Sequence, residues 1–193
     1  MEKILIATGN AHKVSEFSSI LRNLGADVEL VSPKDLGDDS EPVENGDSYA
    51  ENSRIKASYY YEKYHMPTIA DDSGIEIDFY DGKPGIYSAR FLPEMNYKEK
   101  NEYITSQMKG SRNRGASFHC VVTFIKDGIT KQYEGILYGK IAECPSGSEG
   151  FGYDPIFIPE GHDRTNADLG QEFKDGHSHR ALALKKWVED NES

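Results

Sequence analysis

Apolar and polar positions follow two rhythms along this chain. Ile4-Leu5-Ile6-Ala7 is a short β-type run, broken by Thr8-Gly9-Asn10. Val14, Phe17, Leu21 and Leu24 then recur at helical spacing, and Gly25 supplies a C-terminal stop. Val28 to Val31 predicts a second strand, and residues 33–47 form a polar, acidic loop. A second helix is expected from Asp47 or Ser48, where Ser48 and Glu51 have the spacing of a capping box. Its apolar stripe is Ala50, Ala57, Tyr61 and Tyr64, and Pro67 closes it. Thr68 to Ala70 predicts a buried strand that ends at Asp71-Asp72-Ser73-Gly74. Beyond it, Ile75, Ile77 and Phe79 alternate with Glu76, Asp78 and Tyr80, the period of a half-buried strand.

Asp81-Gly82 and Pro84-Gly85 mark turns, and a third helix is expected over Tyr97 to Met108. Phe118–Ile125 and Ile129–Tyr138 flank Asp127-Gly128, a strong hairpin signal. After the glycine-rich stretch Ser146 to Tyr153 comes the apolar run Ile156-Phe157-Ile158. Residues 161–173 carry no distinctive pattern. The last helix is expected from Ser178 to about Glu189, burying Ala181, Leu184 and Val188. Isolated strands, a hairpin and several helices together imply an α/β fold with a mixed sheet.

Composition narrows the function classes. With 193 residues, 37% of them hydrophobic, the chain fits one domain with a real core. Its 33 acidic and 22 basic side chains give a formal charge of −11. That argues against a nucleic-acid polymer as partner, which needs a basic stripe, but permits a small phosphorylated ligand in one basic pocket. The longest apolar stretch, around Val121–Ile125, is far short of the roughly 18–20 residues that span a bilayer. No signal-peptide pattern opens the chain, and Cys120 and Cys144 lack metal-ligand spacing. The expectation is a cytoplasmic protein with two reduced thiols, no disulfide framework and no membrane contact.

Five segments carry candidate chemistry. Thr8-Gly9-Asn10-Ala11-His12-Lys13 joins a strand to a helix, where unpaired N–H groups and the helix dipole suit a phosphate; a plain turn with a solvated lysine is the alternative. Glu44 and Asp71-Asp72 offer carboxylates for a divalent ion, or are simply acidic turns. Strand alternation sends Asp71 and Asp72 to opposite faces, so they would not serve one metal equally. Gly150-Phe151-Gly152-Tyr153-Asp154-Pro155 interleaves aromatics with glycines, a surface for stacking a purine or else a packed loop. Ser178-His179-Arg180, with Lys174 just upstream, puts two cations, His179 and Arg180, in the first turn of a helix, where they oppose the dipole unless an anion or polar ligand faces them; His177 with His179 is also a weak zinc pair. Arg90, in Pro84–Phe91, is a phosphate contact or a structural brace.

Taken together, ATGNAHK at 7–13, ENGDSYAEN at 44–52, ADDSG at 70–74, PGIYSARF at 84–91, GFGYDP at 150–155 and SHR at 178–180 resemble the inosine triphosphate pyrophosphatase family, whose bacterial members are the dITP/XTP pyrophosphatases. The match runs nearly end to end. The resemblance implies a Mg²⁺-dependent hydrolase that cuts noncanonical purine nucleoside triphosphates, such as ITP, dITP and XTP, to monophosphate and pyrophosphate. It implies one domain over residues 1–193, an elongated two-lobed α/β body with a central mixed twisted sheet flanked by helices and a cleft between lobes, and a homodimer. Position by position, Thr8, Gly9, Asn10, Ala11, His12 and Lys13 match the family's phosphate-binding loop. Glu44 and Asp72 match its metal-linked carboxylates, and Asp72 its proton acceptor. Ser73, Phe151, Gly152, Tyr153, Asp154, Lys174, His179 and Arg180 match its substrate contacts. His179 and Arg180 are the expected donors to the purine 6-oxo group.

Rival readings differ in product or turnover. A Maf-type pyrophosphatase would prefer other modified nucleotides, and an aspartyl-nucleophile phosphatase would release orthophosphate. A nucleotide sensor would bind without turnover.

Overall fold

In the first third of the chain, strands and helices alternate as the apolar pattern predicts. Strand β1 (Glu2–Ile6) leads into helix α1 (Ala11–Asn23), then β2 (Val28–Val31), α2 (Tyr49–Tyr64) and β3 (Thr68–Ile77). There follow β4 (Lys83–Pro84), α3 (Tyr97–Gln107), the long hairpin β5 (Gly115–Lys126) and β6 (Ile129–Ile141), β7 (Phe157–Pro159), α4 (Asn166–His177) and α5 (His179–Asn191). The structure, a computed structural model, describes residues 2–191. Among these residues the strands form a mixed sheet in the order β2-β1-β3-β5-β6-β7, with β4 paired to β3. No helix among them is long and apolar enough to cross a membrane.

The chain divides into two compact units. The first comprises residues up to Asp72, Cys120–Gly135 and the residues from Arg180 on; the second comprises Ser73–His119 and Ile136–His179.

In the first unit β1 lies between β2 and β3 and is parallel to both, with Ile4 opposite Leu30 and Leu5 opposite Thr68. Alternation then sorts the side chains by face. Ile4, Ile6 and Ile69 pack with Phe17 and Ile20 of α1 and Leu184 and Trp187 of α5. Leu5, Ala7 and Ala70 pack with Ala57 and Tyr60 of α2. Each fully buried aliphatic side chain contributes roughly 1.5–3 kcal/mol, so the two-sided packing fixes the register of these strands.

Local signals set the helix ends. The Asn10 side chain caps α1 by accepting the His12 N–H at 2.9 Å. Ser48 Oγ accepts the Glu51 N–H at 3.1 Å, while Glu51 Oε2 accepts the Asp47 N–H at 2.7 Å. The buried face of α2 differs from the expected stripe. It presents Tyr49, Asn52, Ser53, Lys56, Ala57 and Tyr60, whereas Ala50, Tyr61 and Tyr64 are only half-buried. Polar residues tolerate this face because they find partners there: Ser53 Oγ, for example, lies 2.6 Å from Thr123 Oγ1.

A second correction concerns β3. Asp71-Asp72-Ser73-Gly74 does not end the strand; the strand runs through it from Thr68 to Ile77. Turn propensity loses because the acidic pair is buried against cations, described below, and because the Gly74 segment is tightly packed. A Cβ on Gly74 would run into the Gly85 carbonyl oxygen and lie 2.7 Å from Ser88 Oγ. Ser88 Oγ also accepts the Ile75 N–H at 2.8 Å.

The second unit is built on Ile75, Ile77, Ile104, Met108, Phe118, Ile156 and Phe157. The predicted alternation stops short of Phe79. The chain leaves β3 for a 3-10 turn over Asp78–Tyr80, with Asp81 at φ +53°, so Phe79 is exposed. Helix α3 starts at a reciprocal cap: Asn96 Oδ1 accepts the Glu99 N–H at 3.0 Å and Glu99 Oε2 accepts the Asn96 N–H at 2.8 Å. Helix α4 occupies part of the patternless stretch. Thr165 caps it, and Gly170 at φ +84° interrupts its helical geometry, which erases the 3.6-residue periodicity. Cys120 is buried and Cys144 exposed, and both are free thiols.

Candidate active site

The predicted phosphate loop is a strand-to-helix junction in the first unit. Thr8 Oγ1 accepts the Asn10 N–H at 3.1 Å, and Asn10 then caps α1. The first turn of α1 holds no acidic residue of its own. Asn10, Ala11 and His12 are exposed, while Thr8 and Gly9 are half-buried. A Cβ on Gly9 would lie 2.9 Å from Glu41 Oε1, the mobile end of an exposed side chain.

Lys13, in the first turn of α1, turns inward. Its Nζ lies 3.1 Å from Asp71 Oδ1. Asp71 Oδ2 accepts from Arg180 Nη2 at 2.8 Å and Nε at 3.2 Å, and Arg180 Nη1 donates to Glu16 Oε2. All three members of this Asp71–Arg180–Glu16 group are nearly fully buried. Burial opposes the Asp71 charge, but Lys13, Arg180 and Lys56 outweigh it and hold the carboxyl well below the usual carboxylate range. Burial lowers the Lys13 ammonium below its ordinary value despite Asp71. Arg180 is raised, because Asp71 and Glu16 outweigh its burial. The Cys120 thiol, 3.8 Å from Asp71 Oδ2, is pushed up by burial and by that carboxylate.

Asp72 falls on the other face of β3, with Ala70 and α2. Its Oδ1 is 3.8 Å from Lys56 Nζ, which in turn is 3.0 Å from Glu44 Oε2. Its Oδ2 is buried and has no hydrogen-bond partner among the described residues. Burial raises the Asp72 pKa; Lys56 and Lys13 pull against this, while Glu44 and Asp71 reinforce it. Lys56 is held above its ordinary value, since Asp71, Asp72 and Glu44 outweigh its burial.

This geometry sorts the acidic residues. Both Asp71 oxygens are engaged by cations. Asp72 Oδ2 is available, and Glu44, with its side chain 38% exposed, stands beside the same lysine. Magnesium accepts one or two carboxylates and completes its shell with water and phosphate oxygens, so Glu44 and Asp72 fit such an ion. Among the described residues no group of three or more His, Cys, Asp or Glu forms an all-protein metal cage.

The second unit holds the aromatic-glycine loop. Asp154 braces it: Oδ2 accepts the Phe151 N–H at 2.9 Å and Lys174 Nζ at 2.7 Å, while Oδ1 accepts from Asn166 Nδ2 at 3.1 Å. The Lys174 ammonium also stands 4.8 Å from the centre of the half-buried Phe151 ring. Tyr153 is part of the core. Its ring meets Tyr97 edge-on at 5.3 Å, and its hydroxyl donates to the Ser88 carbonyl at 2.6 Å. Asn101 Nδ2 donates to the Gly152 carbonyl at 3.0 Å, and Gly152 adopts φ +64°. His179 stacks on Phe118 at 4.8 Å, the rings 11° from parallel. His177 stacks instead on Phe173 at 4.7 Å, so the zinc pairing of the two histidines is not formed. Ser73, half-buried, follows Asp72 directly in β3. Arg90 is exposed, its guanidinium 5.5 Å from the Tyr87 ring; the brace in that segment is Ser88.

Lys56, Glu16, Asn101, Asn166 and Phe118 were not among the sequence candidates. A signal for Lys56 was present: Asn52, Ser53 and Lys56 share one side of a helix by i, i+3/i+4 spacing, a polar stripe where core residues are expected. Glu16 carried none, since an acidic residue on an exposed-looking turn of α1 is ordinary.

The Ham1 family model matches residues 4–190. The dITP/XTP pyrophosphatase of Deinococcus deserti is 41% identical, over 94% of this chain and 86% of that protein. The dITP/XTP pyrophosphatase of Bacillus subtilis is 42% identical, over 96% of this chain and 95% of that protein. The solved structure of a HAM1 protein from Coxiella burnetii covers 100% of both chains at 30% identity, with a TM-score of 0.87. The matched range encloses every motif that resembled the inosine triphosphate pyrophosphatases, and this chain belongs to the Ham1 family.

Proposed function

We propose that this protein hydrolyses noncanonical purine nucleoside triphosphates (ITP, dITP and XTP) to the nucleoside monophosphate and pyrophosphate, with Mg²⁺ as cofactor. The observation that carries the reading is Asp72: a buried carboxylate, raised in pKa, with one oxygen unpartnered among the described residues and Lys56 3.8 Å from the other. A proton acceptor with that character suits hydrolysis of a phosphoanhydride, where positioning water and offsetting charge limit the rate. The dITP/XTP pyrophosphatase activity of its relatives and its membership of the family support the same assignment.

The residues divide the work. Thr8 to His12 form the strand-to-helix turn that receives the triphosphate, where the dipole of α1 favours an anion, and Lys13 offsets its charge. Glu44 and Asp72 would hold the magnesium ion, which when bound neutralises phosphate oxygens and acidifies water. Asp72 accepts the proton of the attacking water. Ser73, Phe151, Gly152, Tyr153 and Asp154 form and support the surface for the nucleoside, with Lys174 braced against Asp154. His179 and Arg180 address the purine 6-oxo group, Arg180 being held in place by Asp71 and Glu16. A 6-amino purine presents donors where the site presents donors, and leaves them unpaired. The reading makes residues 1–193 one catalytic domain, acting as a cytoplasmic homodimer, a state that sedimentation velocity tests directly.

The deciding experiment measures pyrophosphate release from ITP, XTP, dITP, ATP and GTP with Mg²⁺ and with EDTA. The expected result is metal-dependent pyrophosphate from the first three and little from ATP and GTP. Orthophosphate as first product, or faster turnover of UTP than ITP, would overturn the proposal.

A further inference from the structure

We infer that Lys56 is an internal competitor of the divalent cation, holding Glu44 and Asp72 together in the metal-free protein and coupling uptake of the ion to arrival of the triphosphate. The inference rests on the metal assignment proposed above and extends it to a residue that assignment does not use.

The geometry is specific to this lysine. Its ammonium is 3.0 Å from Glu44 Oε2 and 3.8 Å from Asp72 Oδ1, and its side chain is only 11% exposed. It reaches these partners because α2 turns Ser53, Lys56 and Ala57 inward, and Ser53 is pinned to Thr123. A cation placed against both carboxylates satisfies, with one charge, the oxygens that a divalent ion needs. An ion binding there has to share those carboxylates with the ammonium or displace it. Asp71 offers no substitute ligand, since its two oxygens are taken by Lys13 and Arg180.

A triphosphate changes the balance. It brings oxygens that complete the shell of a magnesium ion, and anionic groups that give a displaced ammonium a new partner. Lysine is suited to that exchange, because its point charge rides on a flexible four-carbon stem without fixed geometry. The ion alone therefore binds against the lysine, while ion and nucleotide together bind with it. By linkage the two ligands must then favour one another.

The test uses the full-length protein and Mn²⁺, whose free signal is read by electron paramagnetic resonance, with and without an α,β-methylene analogue of ITP. For the parent, the analogue is expected to tighten Mn²⁺ binding about tenfold or more, within the usual range of linked sites. Lys56→Met is expected to bind Mn²⁺ alone about tenfold more tightly than the parent, and to gain less from the analogue. Lys56→Arg, which keeps the charge, and Lys63→Met, which removes a lysine from the same helix beside Asp38, are expected to stay within about twofold of the parent. Circular dichroism establishes that each variant is folded, and Lys56→Gln replaces Lys56→Met if the latter is not. Unchanged or weaker Mn²⁺ binding in a folded Lys56→Met or Lys56→Gln protein overturns the inference while leaving the metal assignment intact. Failure of the parent to bind Mn²⁺ even with the analogue overturns both.

Discussion

Asp71 and Asp72 are adjacent in one strand, yet their carboxylates have opposite surroundings. Asp71 is clasped by Lys13 at 3.1 Å and Arg180 at 2.8 Å, whereas Asp72 keeps a buried oxygen without a partner among the described residues. The cause is the two-residue period of β3, which turns Asp71 toward α1 and α5 and Asp72 toward α2. Folding lowers the pKa of the first and raises that of the second. The two are therefore expected to fail differently when changed.

Asp72→Asn is expected to lose about 10²–10⁴-fold in turnover of ITP, the usual contribution of a positioned base. It is also expected to melt at a higher temperature than the parent at pH 7 in metal-free buffer. Because burial raises the folded pKa of Asp72, stability falls as pH rises from the unfolded pKa to the folded one, and the ionised carboxylate is a net cost above it. The gain should shrink as the pH is lowered through that window. Parallel pyrophosphate assays and melting curves check both halves; a lower melting temperature at pH 7 contradicts the sign.

Asp71→Asn is expected to destabilise the protein by about 3–5 kcal/mol at pH 7, since it breaks a buried ion pair from one side. Here the sign reverses. A depressed folded pKa contributes stability that is full above the unfolded pKa and is lost as pH falls through the folded one. The difference from the parent, measured by urea titration, should narrow below about pH 4, the ordinary range of an aspartate. A constant difference down to pH 3 would show that the substitution acts through packing alone.

Asp154→Asn is expected to raise KM for ITP about tenfold or more with a smaller change in kcat, because it disturbs the loop proposed to face the nucleoside and leaves the proposed base, Asp72, alone. The carboxylate accepts from the Phe151 N–H and the Lys174 ammonium at one oxygen and from Asn166 Nδ2 at the other, and an amide, with a single accepting oxygen, cannot serve all three. Steady-state kinetics with ITP and XTP would test the split; loss of kcat alone would place Asp154 in the chemical step instead.

Gly74→Ala is expected to cost about 1–3 kcal/mol by overpacking, as the new methyl group meets the Gly85 carbonyl and Ser88 Oγ. The urea midpoint measures it. A neutral result would mean that the Gly85–Ser88 segment yields without cost.

The periodic elements were legible in the chain because their causes are local. Apolar spacing placed α1, the Ser48 cap placed the start of α2, and Asp127-Gly128 placed the hairpin, where the two residues adopt φ +50° and +75°. Phe151, Asp154, Lys174, His179 and Arg180 were legible as candidates because aromatic-glycine and cationic runs are unusual in a chain of this composition. Helix α4 was not, since a left-handed Gly170 interrupts its pattern. The passage of β3 through Asp-Asp-Ser-Gly was not either: turn propensity is a property of the segment, while the cations that let Asp71 be buried come from residues 58 and 109 positions away.

What the amino-acid sequence determined by itself is the α/β class, the order of strands and helices, the family resemblance and the set of candidate residues. Tertiary structure alone decided what those residues touch. It assigned Arg180 to Asp71 and Glu16, made Tyr153 a core residue, turned Asp154 into a brace, and set Lys56 between Glu44 and Asp72. The division follows from range. Backbone propensity and periodicity act over a few residues and are written in the chain, whereas burial and charge pairing depend on distant segments that meet only once the sheet has formed.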